Sequence, residues 1–280
     1  MPITIIDFPK TEGLKKELEV YDEYVKKGVI ENIDVEEKTF LQDIKRESFY
    51  DSFIKETSNL RKKRVLDIGV GGGRTSIYLA LMGNDVTAVE PSLYPCQVLD
   101  QKAKKLDLDI NIYNTSAEFM DCISLNFDVI IFHSSLHHCE SPQTAVNNAY
   151  NKLNKGGVIL LISEPILRFY HTKKWFYEEL ERNPERFNHY GGNENIYRFR
   201  EYVSFLQYAG FSSIKEHPSN LYMRDPSINN SMPLILNLLK KIYFRCVKFF
   251  VANKDIIIIK YLYFLLARLS MIDCSFIAKK

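Results

Sequence analysis

From residue 64 onward, short apolar runs alternate with amphipathic stretches. Segments 65–68, 85–90, 110–113, 127–132 and 158–163 read as strands. Strands this apolar, separated by helical spacing, predict a parallel sheet covered on both faces. The first intervening helix follows Gly73, carries Ile77, Ala80 and Leu81, and stops at Gly83. The next begins after Ser92 with Val98, Leu99, Ala103 and Leu106, and a third starts at Ser141 with Pro142 in its first position. That third helix lines up Ala145, Val146, Ala149 and Leu153 and ends before Gly156-Gly157. A helix over 198–209, stopped by Gly210, and a strand over 212–216 follow an aromatic insertion at 165–197. Ahead of the alternation, Leu14, Leu18, Tyr21 and Val25, then Phe40, Leu41, Ile44, Phe49 and Phe53, recur at helical spacing. The chain divides accordingly into a helical leader (1–62), a central α/β domain (63–230), a basic helical insertion (231–272) and a final strand (273–280).

With 280 residues, 46% of them hydrophobic, the chain has enough material to bury a sizeable core. A net charge of +2 gives no electrostatic case for nucleic acid. The charge is unevenly spread: residues 231–280 hold nine Lys or Arg against Asp255 and Asp273, leaving the first 230 residues acidic. Five cysteines without a C-x-x-C pair are the usage of reduced thiols in a cytoplasmic protein, so no disulfide is expected. The start of the chain lacks the basic and apolar regions of a signal peptide, and the run 256–267 is too short to cross a bilayer.

The chemistry concentrates at Val65-Leu66-Asp67-Ile68-Gly69-Val70-Gly71-Gly72-Gly73-Arg74. A strand running into glycines and then a helix N-terminus brings bare backbone and unpaired N–H groups to a ligand, which marks a nucleotide site. Glu90, at the tip of the second strand, is placed to accept from ribose hydroxyls. The dinucleotide fingerprint G-x-G-x-x-G fits neither frame, because Arg74 and Ser76 stand where the third glycine or alanine belongs. This argues against a nicotinamide-dependent oxidoreductase. A ligand bearing an ammonium and a sulfonium suits the acid at the strand tip better than a pyrophosphate does.

Residues 64–164 resemble the class I S-adenosylmethionine-dependent methyltransferases, particularly the branch containing sugar and quinone methyltransferases. The resemblance rests on the glycine loop, Val86-Thr87-Ala88-Val89-Glu90-Pro91-Ser92, and Thr115-Ser116-Ala117-Glu118. Phe127-Asp128-Val129-Ile130-Ile131, Ser135-Leu136-His137-His138 and Leu153-Asn154-Lys155-Gly156-Gly157-Val158 continue it in the same order. It implies a Rossmann-like, doubly wound sheet of seven strands in the order 3-2-1-4-5-7-6, with the seventh antiparallel. It also implies S-adenosylmethionine as cofactor, its methionine portion held by Asp67, Gly69, Gly71 and Gly73 and its ribose by Glu90. Pro91 and Ala117 would lie against the adenine. Ser116 stands where the family usually has Asp, so adenine recognition would lean on the Ala117 backbone or on Glu118.

Removing a proton from an acceptor hydroxyl calls for a base. His133, His137 and His138 cluster directly after the fourth strand, and Glu164 ends the fifth, its expected neighbour. Our expectation is that His137 or His138 is the base with Glu164 as partner, and that His133 belongs with the cofactor contacts. The alternative is that the His pair only orders its loop while Glu164 caps it. With Cys139 these histidines lack a second ligand pair at zinc spacing, so no metal is expected. The acceptor is a small molecule, with a sugar or lipid-linked glycan first in line and C-methylation of a polyprenyl quinone precursor second. A non-catalytic cofactor-binding protein is the third reading. Aromatic residues of the insertion, among them Phe169, Trp175, Phe187, His189, Tyr190 and Tyr197, suit either an acceptor pocket or a small core of their own. In segment 231–270, Lys240, Lys241, Arg245 and Lys248 share one helical face. That face suits peripheral contact at the inner side of a membrane; packing on the domain or a homodimer interface is the competing reading.

Overall fold

The computed structural model describes residues 3–27, 36–168, 170–182, 194–218 and 273–280. Strands β1 (Thr4–Ile5), β2 (Arg64–Ile68), β3 (Asp85–Glu90), β4 (Ile110–Asn114), β5 (Phe127–His133), β6 (Leu153–Pro165), β7 (Ser212–Pro218) and β8 (Asp273–Lys279) form one sheet. Its order is β1-β4-β3-β2-β5-β6-β8-β7. Leaving out β1, the remaining strands follow the expected 3-2-1-4-5-7-6 arrangement, and β8 is antiparallel to both β6 and β7. The sheet has eight strands rather than seven because Thr4 and Ile5 pair in parallel with Tyr113 and Asn114. Two residues of strand ahead of a charged helix leave too little alternation to be read from the chain.

Successive residues of the central strands point to opposite faces, so each apolar run feeds two cores. Leu66, Ile130, Phe132, Ile159 and Leu161 join one core, closed by Ala145, Val146 and Ala149 of α6 (Pro142–Lys152) and by Tyr202 and Leu206 of α8 (Phe199–Ala209). Val65, Val129, Ile131, Leu160 and Ile162 join the other. That face is covered by α2 (Glu37–Arg46), α3 (Asp51–Thr57), α4 (Arg74–Leu81) and α5 (Leu93–Lys105), which supply Phe40, Ile44, Phe53, Ile77, Leu79 and Leu99. Helix α1 (Glu12–Lys26) lies against α5, and α7 (Lys173–Arg182) falls within the insertion.

Local signals place the helix ends. Ser141 caps α6, its hydroxyl accepting from the Thr144 N–H, and Gly210 closes α8 in the left-handed conformation. Helix α6 stops one residue earlier than its apolar spacing suggests, because Leu153 already pairs with Phe127. Among the described residues no helix is long and apolar enough to cross a membrane. The basic segment 231–270 lies outside the described residues, as do Phe169, Phe187, His189 and Tyr190.

Candidate active site

A cavity opens at the carboxyl ends of β2, β3 and β5, where ligands bind in sheets of this kind. Gly69, Gly71, Glu90, Pro91, Ser116, Ala117, Ser135 and His138 line it, together with Leu14, Glu17, Leu18 and Tyr21 of α1. The glycine loop is built for close approach. Gly69 has φ 71°, and a Cβ there would stand 2.5 Å from that of Ser135, whose hydroxyl donates to the Ile68 carbonyl at 2.7 Å. Gly73 has φ 82° and faces Leu99 equally tightly, so the turn into α4 presses onto α5. Beneath the loop, Asp67 is buried, and its Oδ2 accepts from the Thr75 and Ser76 hydroxyls of α4, each at 2.7 Å. Burial pushes the Asp67 carboxyl up to about 6, with these hydroxyls pulling it back.

Glu90 links loop and strand. It accepts from the Gly71 N–H at 2.8 Å and the Ser92 N–H at 3.0 Å, while Asn114 donates to the carbonyls of Glu90 and Pro91. Desolvation raises its carboxyl to about 7, against the pull of those two N–H groups.

The end of β5 shapes the other half. Ser134 and Ser163 both take positive φ, 53° and 55°, strain that a non-glycine residue pays at roughly 1–3 kcal/mol each. The β6·β8 pairing shifts register between Leu161 and Glu164, and such irregularities re-aim side chains. Glu164 is fully buried and accepts from the backbone N–H groups of Ser135, Leu136 and His137, with His137 Nδ1 at 2.8 Å. Burial would raise its carboxyl, yet His137 and those N–H groups hold it below the usual range.

Two histidines thus have different partners. His137 contacts Glu164 and is not among the cavity-lining residues, whereas His138 lines the cavity with Nδ1 3.1 Å from Glu17 Oε1 and 3.6 Å from Glu194 Oε2. Burial would lower the His138 pKa, but Glu17, Glu194 and Glu164 outweigh it and hold it above the ordinary value. The expected partnership with Glu164 therefore falls on His137. His133 also lies away from the cavity lining, packed among Phe49, Tyr50 and Phe53 at ring distances of 4.7–5.5 Å. Burial drops it to about 4, so it is neutral at pH 7.

Asp67 and Gly73 support the loop without lining the cavity; Gly69, Gly71, Glu90, Pro91, Ser116 and Ala117 line it. Among the described residues the donor atoms of His137, His138 and Glu194 lie within 4.8 Å of one another. His137 is already engaged by Glu164 and His138 by Glu17, which makes this a cluster of contacting imidazole and carboxylate side chains inside the protein. The sequence reading missed Glu17 and Glu194. The signal for Glu17 was present: it is a carboxylate on the stripe of Leu14, Leu18 and Tyr21.

The cradle fits S-adenosylmethionine. A side chain at Gly69 or Gly73 would collide with the protein, and Glu90 brings a carboxylate to the tip of β3. Among the described residues, carboxylates are the only charged groups lining the cavity apart from His138, which suits a ligand carrying an ammonium and a sulfonium.

Comparison with known proteins agrees. A family described as "Methyltransferase domain" matches residues 66–161. The chain is 32% identical over 105 residues to a ubiquinone biosynthesis O-methyltransferase of Coxiella burnetii (strain Dugway 5J108-111), covering 38% of this chain and 45% of that protein. It is 25% identical over 137 residues to the enzyme of that name from Pseudomonas putida (strain GB-1), covering 49% and 52%. The chain thus spans about half the length of the curated relatives it matches. Among solved structures, the [4+2]-cyclase SpnF aligns over 99% of this chain and 98% of its own, with a TM-score of 0.58 and 13% identity. The 1,6-didemethyltoxoflavin-N1-methyltransferase of Burkholderia thailandensis, solved with S-adenosylhomocysteine, aligns over 98% and 93%, with a TM-score of 0.54 and 13% identity. Identities this low speak for the fold alone, and a cyclase on this fold is a reminder that activity resides in the site. Sequence likeness to a methyltransferase domain, and a loop, strand tip and sheet order that agree with it, place residues 66–161 among the class I S-adenosylmethionine-dependent methyltransferases.

Proposed function

We propose that this protein transfers a methyl group from S-adenosylmethionine to a hydroxyl of a small molecule. One observation carries the reading: the glycine loop and Glu90 line the same cavity as His138, which stands beside Glu17. When bound, the cofactor supplies an electrophilic methyl group on a sulfonium. Glu90 and the Gly69–Gly73 loop hold and orient it, and α1 excludes water. His138 accepts the proton of the acceptor hydroxyl, the neighbouring carboxylate of Glu17 stabilising the imidazolium that forms. Glu164 and His137 act one step further out by fixing the loop that carries His138.

The lining also speaks to the acceptor. Glu17, Glu90, Glu118 and Glu140 face the cavity and no Lys or Arg does among the described residues, which disfavours a phosphorylated or carboxylated acceptor. A neutral sugar hydroxyl, free or lipid-linked, fits this lining. A ring hydroxyl of a polyprenyl quinone precursor is the second reading, favoured by the name of the curated relatives, which also supports oxygen over carbon as the acceptor atom. Both would be served by peripheral membrane contact through 231–270, which liposome flotation at low salt would reveal.

The test is calorimetry with S-adenosylhomocysteine, followed by methyl transfer from labelled donor to neutral sugar and catechol probes. Binding in the wild type, its loss in Glu90→Ala and transfer that disappears in His138→Ala are expected. A wild type that binds neither donor nor demethylated product would end the proposal.

A further inference from the structure

Glu17 is misplaced for an ordinary surface helix. It is only 5% exposed, Oε1 sits 3.1 Å from His138 Nδ1, and Oε2 is buried with no hydrogen-bond partner among the described residues. A carboxylate withdrawn from water with half its acceptor capacity unused costs free energy, so its retention calls for a role. Its neighbours on the same face of α1, Leu14, Leu18 and Tyr21, line the cavity beside the glycine loop. Polar contacts at both ends hold the helix down. Thr11 donates to Glu140 at the start, and Ser92 donates to Asp22 Oδ1 at 2.6 Å near the end. Glu140 and Ser92 belong to the two segments that follow β5 and β3, the same segments that wall the cavity.

We propose that Glu17 is the positioning residue of His138 and that, because it rides on the helix covering the cofactor cavity, covering the cofactor and aligning the imidazole are one event. The proposal rests on the methyl-transfer reading and deepens it. A carboxylate at Nδ1 keeps the proton on that nitrogen, leaves the Nε2 lone pair to receive the acceptor's proton, and stabilises the cation that results. Without α1 in place His138 loses its nearest partner, so a methyl donor that is not yet covered meets an imidazole that is not yet aligned. Four groups face His138: Glu17 from α1, Glu194 from the segment before α8, Glu164 from β6, and the adjoining His137 ring at 4.1 Å. Glu17 is the nearest carboxylate of these.

The experiment follows the His138 ring Cε1 resonance against pH in 13C-histidine-labelled full-length protein, with and without saturating S-adenosylhomocysteine. Wild type, Glu17→Gln and Glu17→Asp are compared, and calorimetry measures S-adenosylhomocysteine affinity in each. Glu17→Gln is expected to lower the His138 titration midpoint and Glu17→Asp to restore it, with affinity staying within about threefold of wild type. An unchanged midpoint in Glu17→Gln overturns the proposal. Loss of S-adenosylhomocysteine binding in both variants overturns it too, since Glu17 would then hold the cofactor or the helix. A wild type that fails to bind S-adenosylhomocysteine refutes the methyltransferase reading instead, while the titration without ligand still decides the pairing.

Discussion

The two halves of the cavity are assembled in opposite ways. The cofactor half comes mostly from one continuous stretch, in which β2, the glycine loop, α4 and β3 follow one another and Glu90 closes back onto Gly71, 19 residues away, with Ser116 and Ala117 added from the segment after β4. The proposed acceptor half is gathered from across the chain: Glu17 from α1 and His138 from the turn after β5 line the cavity, and Glu164 from β6 and Glu194 from the far side of the insertion contact the histidine pair from outside the lining. Local assembly fixes a geometry through backbone and short loops, and distant assembly makes it depend on packing and paired charge. The first half should therefore respond to changes of shape, the second to changes of charge.

The largest effect expected from a single change falls in the acceptor half. Glu164→Ala leaves three backbone N–H groups and His137 without their buried acceptor, and about 3–5 kcal/mol of unfolding free energy is expected to go with it, read by denaturant titration. Glu164→Gln, which keeps shape but not charge, should retain part of this; equal loss in both would break the distinction drawn between the halves. Next comes Gly69→Ala, where a methyl group meets Ser135 at 2.5 Å in a left-handed backbone. About 3 kcal/mol is expected, appearing mostly as at least a hundredfold loss of S-adenosylhomocysteine affinity in calorimetry.

Glu90 sharpens the comparison by pH. In the proposed role of Glu90, ribose hydroxyls would donate to the ionised carboxylate, and burial raises that carboxyl to about 7. S-adenosylhomocysteine affinity should therefore climb as pH rises from 6 towards 8 and flatten above the titration. Glu90→Gln is expected to bind about 10–100-fold more weakly at pH 8 and to lose that slope. A slope that persists in Glu90→Gln would assign the titration to another group. Smallest of all is Lys104→Ala, which removes an exposed i,i+4 pair with Asp100 on α5; a change below about 0.5 kcal/mol and unaltered affinity are expected.

Much of the cofactor half was legible from the chain, because each of its features is a short-range signal. Gly69, Gly71 and Gly73 announce a turn with positive φ, and all three have it; Ser92, Ser141, Gly83 and Gly210 mark helix ends where the structure has them. Less visible was division of labour within that half. Asp67 is spaced like a ligand contact, and its Oδ2 also accepts from Thr75 and Ser76 of α4. His133 is one of three histidines in a row of six residues, and only the alternation of β5 turns it away from His138 and into the aromatic cluster with Phe53.

What the amino-acid sequence by itself determined is the alternation of strands and helices, the glycine turn and the acid at the tip of the second strand. Periodicity and backbone freedom are properties of neighbouring residues and need no knowledge of the rest of the chain. The tertiary structure alone decided which histidine reaches the cavity, that Glu164 serves His137 and that a helix 120 residues upstream brings Glu17 to His138. Those pairings join residues far apart in the chain, and no local rule encodes them: they follow from the register of the sheet and from the side of it on which α1 packs.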